Sequence, residues 1–111
     1  MANFFRLKGA TIVTTAEETI LTVSGSSNFI VGSLVVSNTA AATDTDVTLS
    51  VFDFSEAASF NLVTNESFLR EQSKEILSRP FIMETNDELR IQCANANIID
   101  ILISYMDRDR D

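Results

Sequence analysis

Histidine and tryptophan are absent from this chain of 111 residues, and there is one cysteine, one proline, one tyrosine and only three glycines. Without histidine, a histidine-based nucleophile triad and an imidazole metal site are both excluded. Cys93 alone makes neither an intrachain disulfide nor a structural zinc site. Gly9, Gly25 and Gly32 are scattered and form no phosphate-binding loop. No run reaches the ~18 apolar residues of a membrane-crossing helix. The most apolar stretch, Ile98 to Met106, is broken by Asp100 and Ser104. The first residues, Met1 to Arg6, lack the basic segment and long apolar stretch of a secretory leader. Cations are scarce too: 8 Lys and Arg stand against 16 Asp and Glu, a net charge of −8. Such a field repels a phosphate backbone and an anionic lipid surface, so neither nucleic acid nor membrane is an expected partner.

What is present points to a folded β protein. Hydrophobic residues make up 45% and charged residues 22%. The apolar weight lies in Ile, Val, Leu and eight Phe, with Thr abundant, all strand formers. The length suits one domain over 1–111, with a short charged tail at 107–111.

Alternation marks the strands. Phe5, Leu7 and Gly9 alternate with Arg6 and Lys8, which suggests a first strand over Phe4 to Thr14. A second runs from Glu18 to Val23, followed by the turn-forming Ser24 to Asn28. The third covers Phe29 to Asn38, with Ile30, Leu34 and Val36 expected on one face and a bulge or close approach at Gly32. In the fourth, Asp46 to Phe54, Val47, Leu49 and Val51 oppose Thr48, Ser50 and Phe52. Phe60 to Thr64 is a short strand, and Phe81 to Glu84 another, opened by Pro80. Within 66–77, Phe68, Leu69, Gln72 and Ile76 fit a helical stripe, while the strands on both sides favour extended structure plus a loop. Last comes what reads as a hairpin: Leu89, Ile91 and Cys93, a turn at Asn95 to Asn97, then Ile99, Ile101, Ile103 and Tyr105. Cys93 and Tyr105 are expected on its buried face, Cys93 as an inert thiol suited to a reducing cytosol. About eight or nine short strands with regular turns predict an all-β antiparallel sandwich, jelly-roll or immunoglobulin-like.

No catalytic, cofactor or metal residues can be named, and no enzyme is expected. Asp44 and Asp46, with Thr43 and Thr45, read as a solvated loop rather than a calcium site. Asp53 with Glu56, and Glu84, Asp87 and Glu88, lack the cleft that paired carboxylates need for glycoside chemistry. Asn65-Glu66-Ser67 matches a glycosylation acceptor but has no secretory context. Subunit contacts are better served. One of Phe4 and Phe5 is expected in the core and the other free to anchor a neighbour, and Phe52 and Phe54 pose the same choice. Arg108 and Arg110 lie in the tail, a solvated end or a contact arm. Sheet edges that need cover add to this, so a homo-oligomer is expected.

Three stretches resemble small virion structural proteins of tailed bacteriophages. Thr19 to Val23, a loop, and Phe29 to Thr39 are similar to the family's strand ending in Thr-Val, short loop, and strand ending in Asn-Thr. Asp46 to Val51 matches its Thr/Val-rich strand. Pro80 to Ala94, followed by Ile101 to Tyr105, is similar to its Leu-Glu-x-Gly-Asp-x-Leu turn, Ala/Asn-rich loop and terminal Ser-Tyr strand. The chain departs at Ser24 to Ser27, which has no proline, and at Asn86, where the family has Gly. Asn tolerates the left-handed backbone such a turn needs. The resemblance implies a non-enzymatic virion component, made in the host cytoplasm, without cofactor. Its partners would be other virion proteins, met as a capsid decoration or cement, neck or tail-attachment subunit. The alternative is a carbohydrate- or receptor-binding module, disfavoured by the lack of Trp and the single Tyr.

Overall fold

The computed structural model describes residues 2–109, and side chains from Asn3 onward. Among these residues there are nine strands and no helix. They are β1 (Ala2–Ile12), β2 (Glu18–Thr22), β3 (Ser27–Asn38), β4 (Thr45–Asp53), β5 (Ala58–Phe68), β6 (Ser73–Glu75), β7 (Phe81–Met83), β8 (Glu88–Cys93) and β9 (Ile99–Asp109). They form two antiparallel sheets. The first runs β1-β9-β3, with both β6 and β7 on the far side of β3; the second runs β2-β8-β4-β5.

The pairings are nested. First pairs with last (β1 with β9), second with second-last (β2 with β8), β3 with β6 and β7, and β4 with β5. The chain is one long hairpin, bent at the β4–β5 turn and rolled so that its pairs alternate between two sheets. That is a jelly roll. It settles the expected sandwich on the first of its two forms. The strands are not all short, as β1, β3, β5 and β9 have 11 or 12 residues. At ~3.3 Å per residue they account for most of the 48 Å long axis.

The expected closing hairpin does not exist. β8 pairs with β2 and β4 in the second sheet, and β9 with β1 and β3 in the first. Residues 94–98 cross between them: Ala94 N–H donates to Asp46 O of β4, and Asn97 N–H to Ile12 O of β1. Leu89, Ile91 and Cys93 therefore meet Ile99, Ile101 and Ile103 across the core, not side by side. Alternation fixes which face of a strand is buried but not which strand lies beside it.

Three other expectations are resolved, the extended reading of 66–77 and the bulge at Gly32 as expected and the tail not. β5 continues to Phe68, which is wholly buried, and the chain then turns into β6, so 66–77 contains no helix. The turn is held by Arg70 N–H on Asp44 Oδ1 and Leu69 N–H on Gln72 Oε1. Asp107, Arg108 and Asp109 belong to β9 and not to a free tail. Gly32 does mark a bulge, since the β3–β9 register shifts between Val31 and Ser33. The bulge reverses the strand's phase, so Phe29 and Val31 point inward with Leu34 and Val36 while Ile30 turns out.

The two ends are tied by polar side chains. Asn38, 2% exposed, donates through Nδ2 to Thr43 O (2.8 Å) and Phe68 O (3.1 Å), and its Oδ1 accepts from Ala40 N–H (3.0 Å). At the other end buried Asp87 accepts from Phe54 N–H through Oδ1 and from Glu84 N–H through Oδ2. Asn86 has φ 72°, the left-handed conformation its turn requires.

Candidate interaction surface

β1 is turned the opposite way from its alternation. It pairs with β9 in one unbroken register over all 11 residues. Ile12 points into the core, and an odd number of steps separates it from Phe5, so Phe5, Leu7 and Gly9 must face out. Arg6 and Lys8 take the inward parity instead. Arg6 remains solvent-accessible, pairs with Asp107 (3.1 Å) and lies over the Phe4 ring.

The outer face of the first sheet is thereby apolar. Phe5 on β1 opposes Met106 on β9, which opposes Ile30 on β3, which opposes Ile82 on β7. These four form one row across the sheet, with strands ~4.8 Å apart. Leu7 with Ser104 and Ser33 forms the next row, and Gly9 with Leu102 and Val35 the one beyond. Phe5 is 88% exposed, Leu7 66% and Ile82 61%. Two open grooves, of about 520 and 650 Å³, run over this face on either side of its middle. Among the described residues its charged side chains are Glu75, Asp100 and Arg108. Glu75 is engaged. Burial works against its ionisation, but the Ser33 hydroxyl and the N–H groups of Leu34 and Leu77 outweigh this and hold it below the usual glutamate value. Bare apolar area depleted of charge is the composition of an interface core.

The outer face of the second sheet is different. Its aromatic, Phe52, is covered by the Arg90 guanidinium 4.4 Å from the ring centroid. Arg90 also pairs with Glu88 (2.9 Å) and Glu17 (3.8 Å). Arg90 and the Thr19 hydroxyl keep the Glu88 carboxyl below its ordinary range. A small polar groove there is lined by Asp46, Thr48, Asn65 and Gln92.

Of the residues expected at subunit contacts, Phe5 and Arg108 lie on the apolar face. Phe4 is on the inward side of β1, yet 47% exposed, so neither Phe4 nor Phe5 enters the core as one of them was expected to. Phe52 sits under Arg90, Phe54 is exposed at the β4–β5 end, and Arg110 lies outside the described residues. Leu7, Ile30, Ile82, Leu102 and Met106 were not singled out. Leu102 had a signal, as a large apolar residue at an outward position of β9; Ile30 was hidden by the bulge.

Three of the carboxylates named from the sequence accept from backbone N–H groups. Asp44 holds Arg70, Asp53 Oδ1 accepts from Ser55 and Glu56, and Asp87 holds two turns. Among the described residues no three Cys, Asp or Glu side chains gather as metal ligands would. Cys93 is buried and its thiol is pushed up to about 11, by burial first and then by Glu18. Tyr105 is raised, chiefly by burial, and its ring lies 4.6 Å from that of Phe29.

No family model matches the sequence, and no curated protein matches it. Solved structures do. One, of infectious bursal disease virus Gx strain, superposes with TM-score 0.56 at 7% identity over 95% of this chain. Another, the virus-like particle of extra small virus from the giant freshwater prawn Macrobrachium rosenbergii, gives 0.52 at 13% identity over 99%. Both are viral capsid proteins. The chain spans 32% of the first and 80% of the second. At such identities the likeness establishes the fold alone, the jelly roll.

Proposed function

We propose that this protein is a non-enzymatic structural subunit of a virus particle, and that it assembles through the outer face of its first sheet. The observation that carries this reading is the row Phe5–Met106–Ile30–Ile82, left bare on a jelly roll whose other outer face is polar. Capsid proteins with the same fold support it. So does the use of Asp44, Asp53 and Asp87 as backbone caps, which leaves them no part in acid–base chemistry. The resemblance to tailed-phage proteins favours a decoration or cement, neck or tail-attachment subunit, made in the host cytoplasm and carried in the virion. Strength comes from many modest contacts made at once. A carbohydrate-binding role gains nothing from Tyr105, the chain's one tyrosine, which is packed on Phe29.

The test is purification of particles from the virus that encodes this chain, with protein mass spectrometry and density for the particle. The chain is expected in many symmetric copies, with Phe5 and Met106 covered. Its absence from the particles refutes the reading.

A further inference from the structure

We propose that the apolar face binds a second copy of this chain, forming a two-fold dimer in which the first sheets pack face to face with their strands antiparallel. This deepens the assembly reading by naming the partner of the same face.

Charge selects the partner and its orientation. The chain carries −8, so two copies repel through most of their surface. The first sheet's outer face is the exception. With Glu75 turned back onto Ser33 and Leu34, it offers, among the described residues, one anion and one cation that form no ion pair: Asp100, whose Oδ1 accepts from the Thr11 hydroxyl, and Arg108. Both lie on β9, four residues to either side of Ser104, or about 13 Å each way. Let a two-fold axis cross the strands along the Leu7–Ser104–Ser33 row. Arg108 of each copy then lies opposite Asp100 of the other. With parallel strands each charge would meet its like, which is disfavoured.

The same operation matches shapes. Phe5 falls opposite Gly9 of the second copy, Met106 opposite Leu102, and Ile30 opposite Val35. Gly9 is otherwise unexplained. A glycine within a strand is unfavourable, and a Cβ added there would meet only ordinary contacts, 3.6 Å to the Leu102 side chain and 3.9 Å to Ile101 O. Its own chain does not need the missing side chain; an incoming phenyl ring does. The area is adequate. A face about 36 Å long and about 19 Å wide gives about 700 Å² per copy, or about 1,400 Å² in all, within the range of stable interfaces.

Sedimentation equilibrium of the full chain is expected to give twice the 12.3 kDa chain mass at micromolar concentration. Gly9→Val and Leu7→Asp are expected to yield monomers whose circular dichroism is unchanged. Asp100→Arg and Arg108→Asp should each weaken the dimer about tenfold or more, and the double exchange should restore it. A wild-type chain that stays monomeric at about 100 μM, well above the dissociation constant expected for such an area, overturns the dimer. A double exchange no better than the singles overturns the antiparallel arrangement. A monomer still found in particles refutes the dimer and leaves the assembly reading standing; a dimer absent from particles does the reverse.

Discussion

Replacing Asn38 tests how the jelly roll is closed at one end. Its amide joins the end of β3, the 39–44 loop and the end of β5 through three hydrogen bonds, in a site only 2% exposed. Asn38→Ala orphans the carbonyls of Thr43 and Phe68 and the N–H of Ala40. A typical bond contributes about 1 kcal/mol net and a buried orphan costs about 1–3, while the truncation admits water to some of them. The expected loss is about 2–4 kcal/mol, a large share of a domain's usual 5–15. Asn38→Asp is the sharper change. It keeps the shape and the bond from Ala40 but turns a carboxylate toward two carbonyl oxygens. At pH 7 it should therefore cost more than alanine, about 3–5 kcal/mol. The new carboxyl would have a folded pKa above its unfolded value of about 3.9, so its penalty should shrink as pH falls below about 5. Urea unfolding followed by circular dichroism, which needs no tryptophan, measures all three proteins at pH 7 and pH 4. If Asn38→Asp is no worse than Asn38→Ala at pH 7, donation by the amide is not what holds this end.

Other expectations follow from neighbouring groups. Glu75 has a lowered folded pKa, so its contribution is present above the ordinary value of 4.5 and fades as pH falls through the folded one. Glu75→Gln should thus be less stable than wild type at pH 7, with urea midpoints converging as pH falls through the lowered folded value. Ile103→Ala, in the core, should cost about 2–5 kcal/mol, whereas its neighbour Leu102→Ala, outward and 45% exposed, should cost under about 1 kcal/mol in the monomer. Equal losses would contradict the facing assigned to β9. The Cys93 thiol, pushed up to about 11 and buried, should resist a disulfide reagent at pH 8 and react at once in urea.

The apolar surface explains a tension within the chain. Phe5, Leu7, Ile30, Ile82 and Leu102 add nothing to the monomer's core, and their exposure invites association. The acidity elsewhere limits where that association can occur. A subunit that must stay soluble until it assembles needs both features.

The sequence by itself determined that this is a β protein, where most of its strands lie (β6 and the full length of β5 excepted), and that Cys93 faces inward. These are local properties: side-chain alternation, turn residues such as Asn86, and the bulge at Gly32. It also determined what chemistry is absent, since no fold supplies a histidine. The tertiary structure decided the partners. β8 and β9 carry the same alternation whether they pair or face each other across a core, and only the nested pairing of nine strands separates them into two sheets. It also decided the direction of β1. Phe5 and Leu7 look like core residues until eleven consecutive pairs with β9 tie them to the parity of Ile12. A strand's faces are written in its own residues, but which of them meets water is set by register with strands far away in the chain.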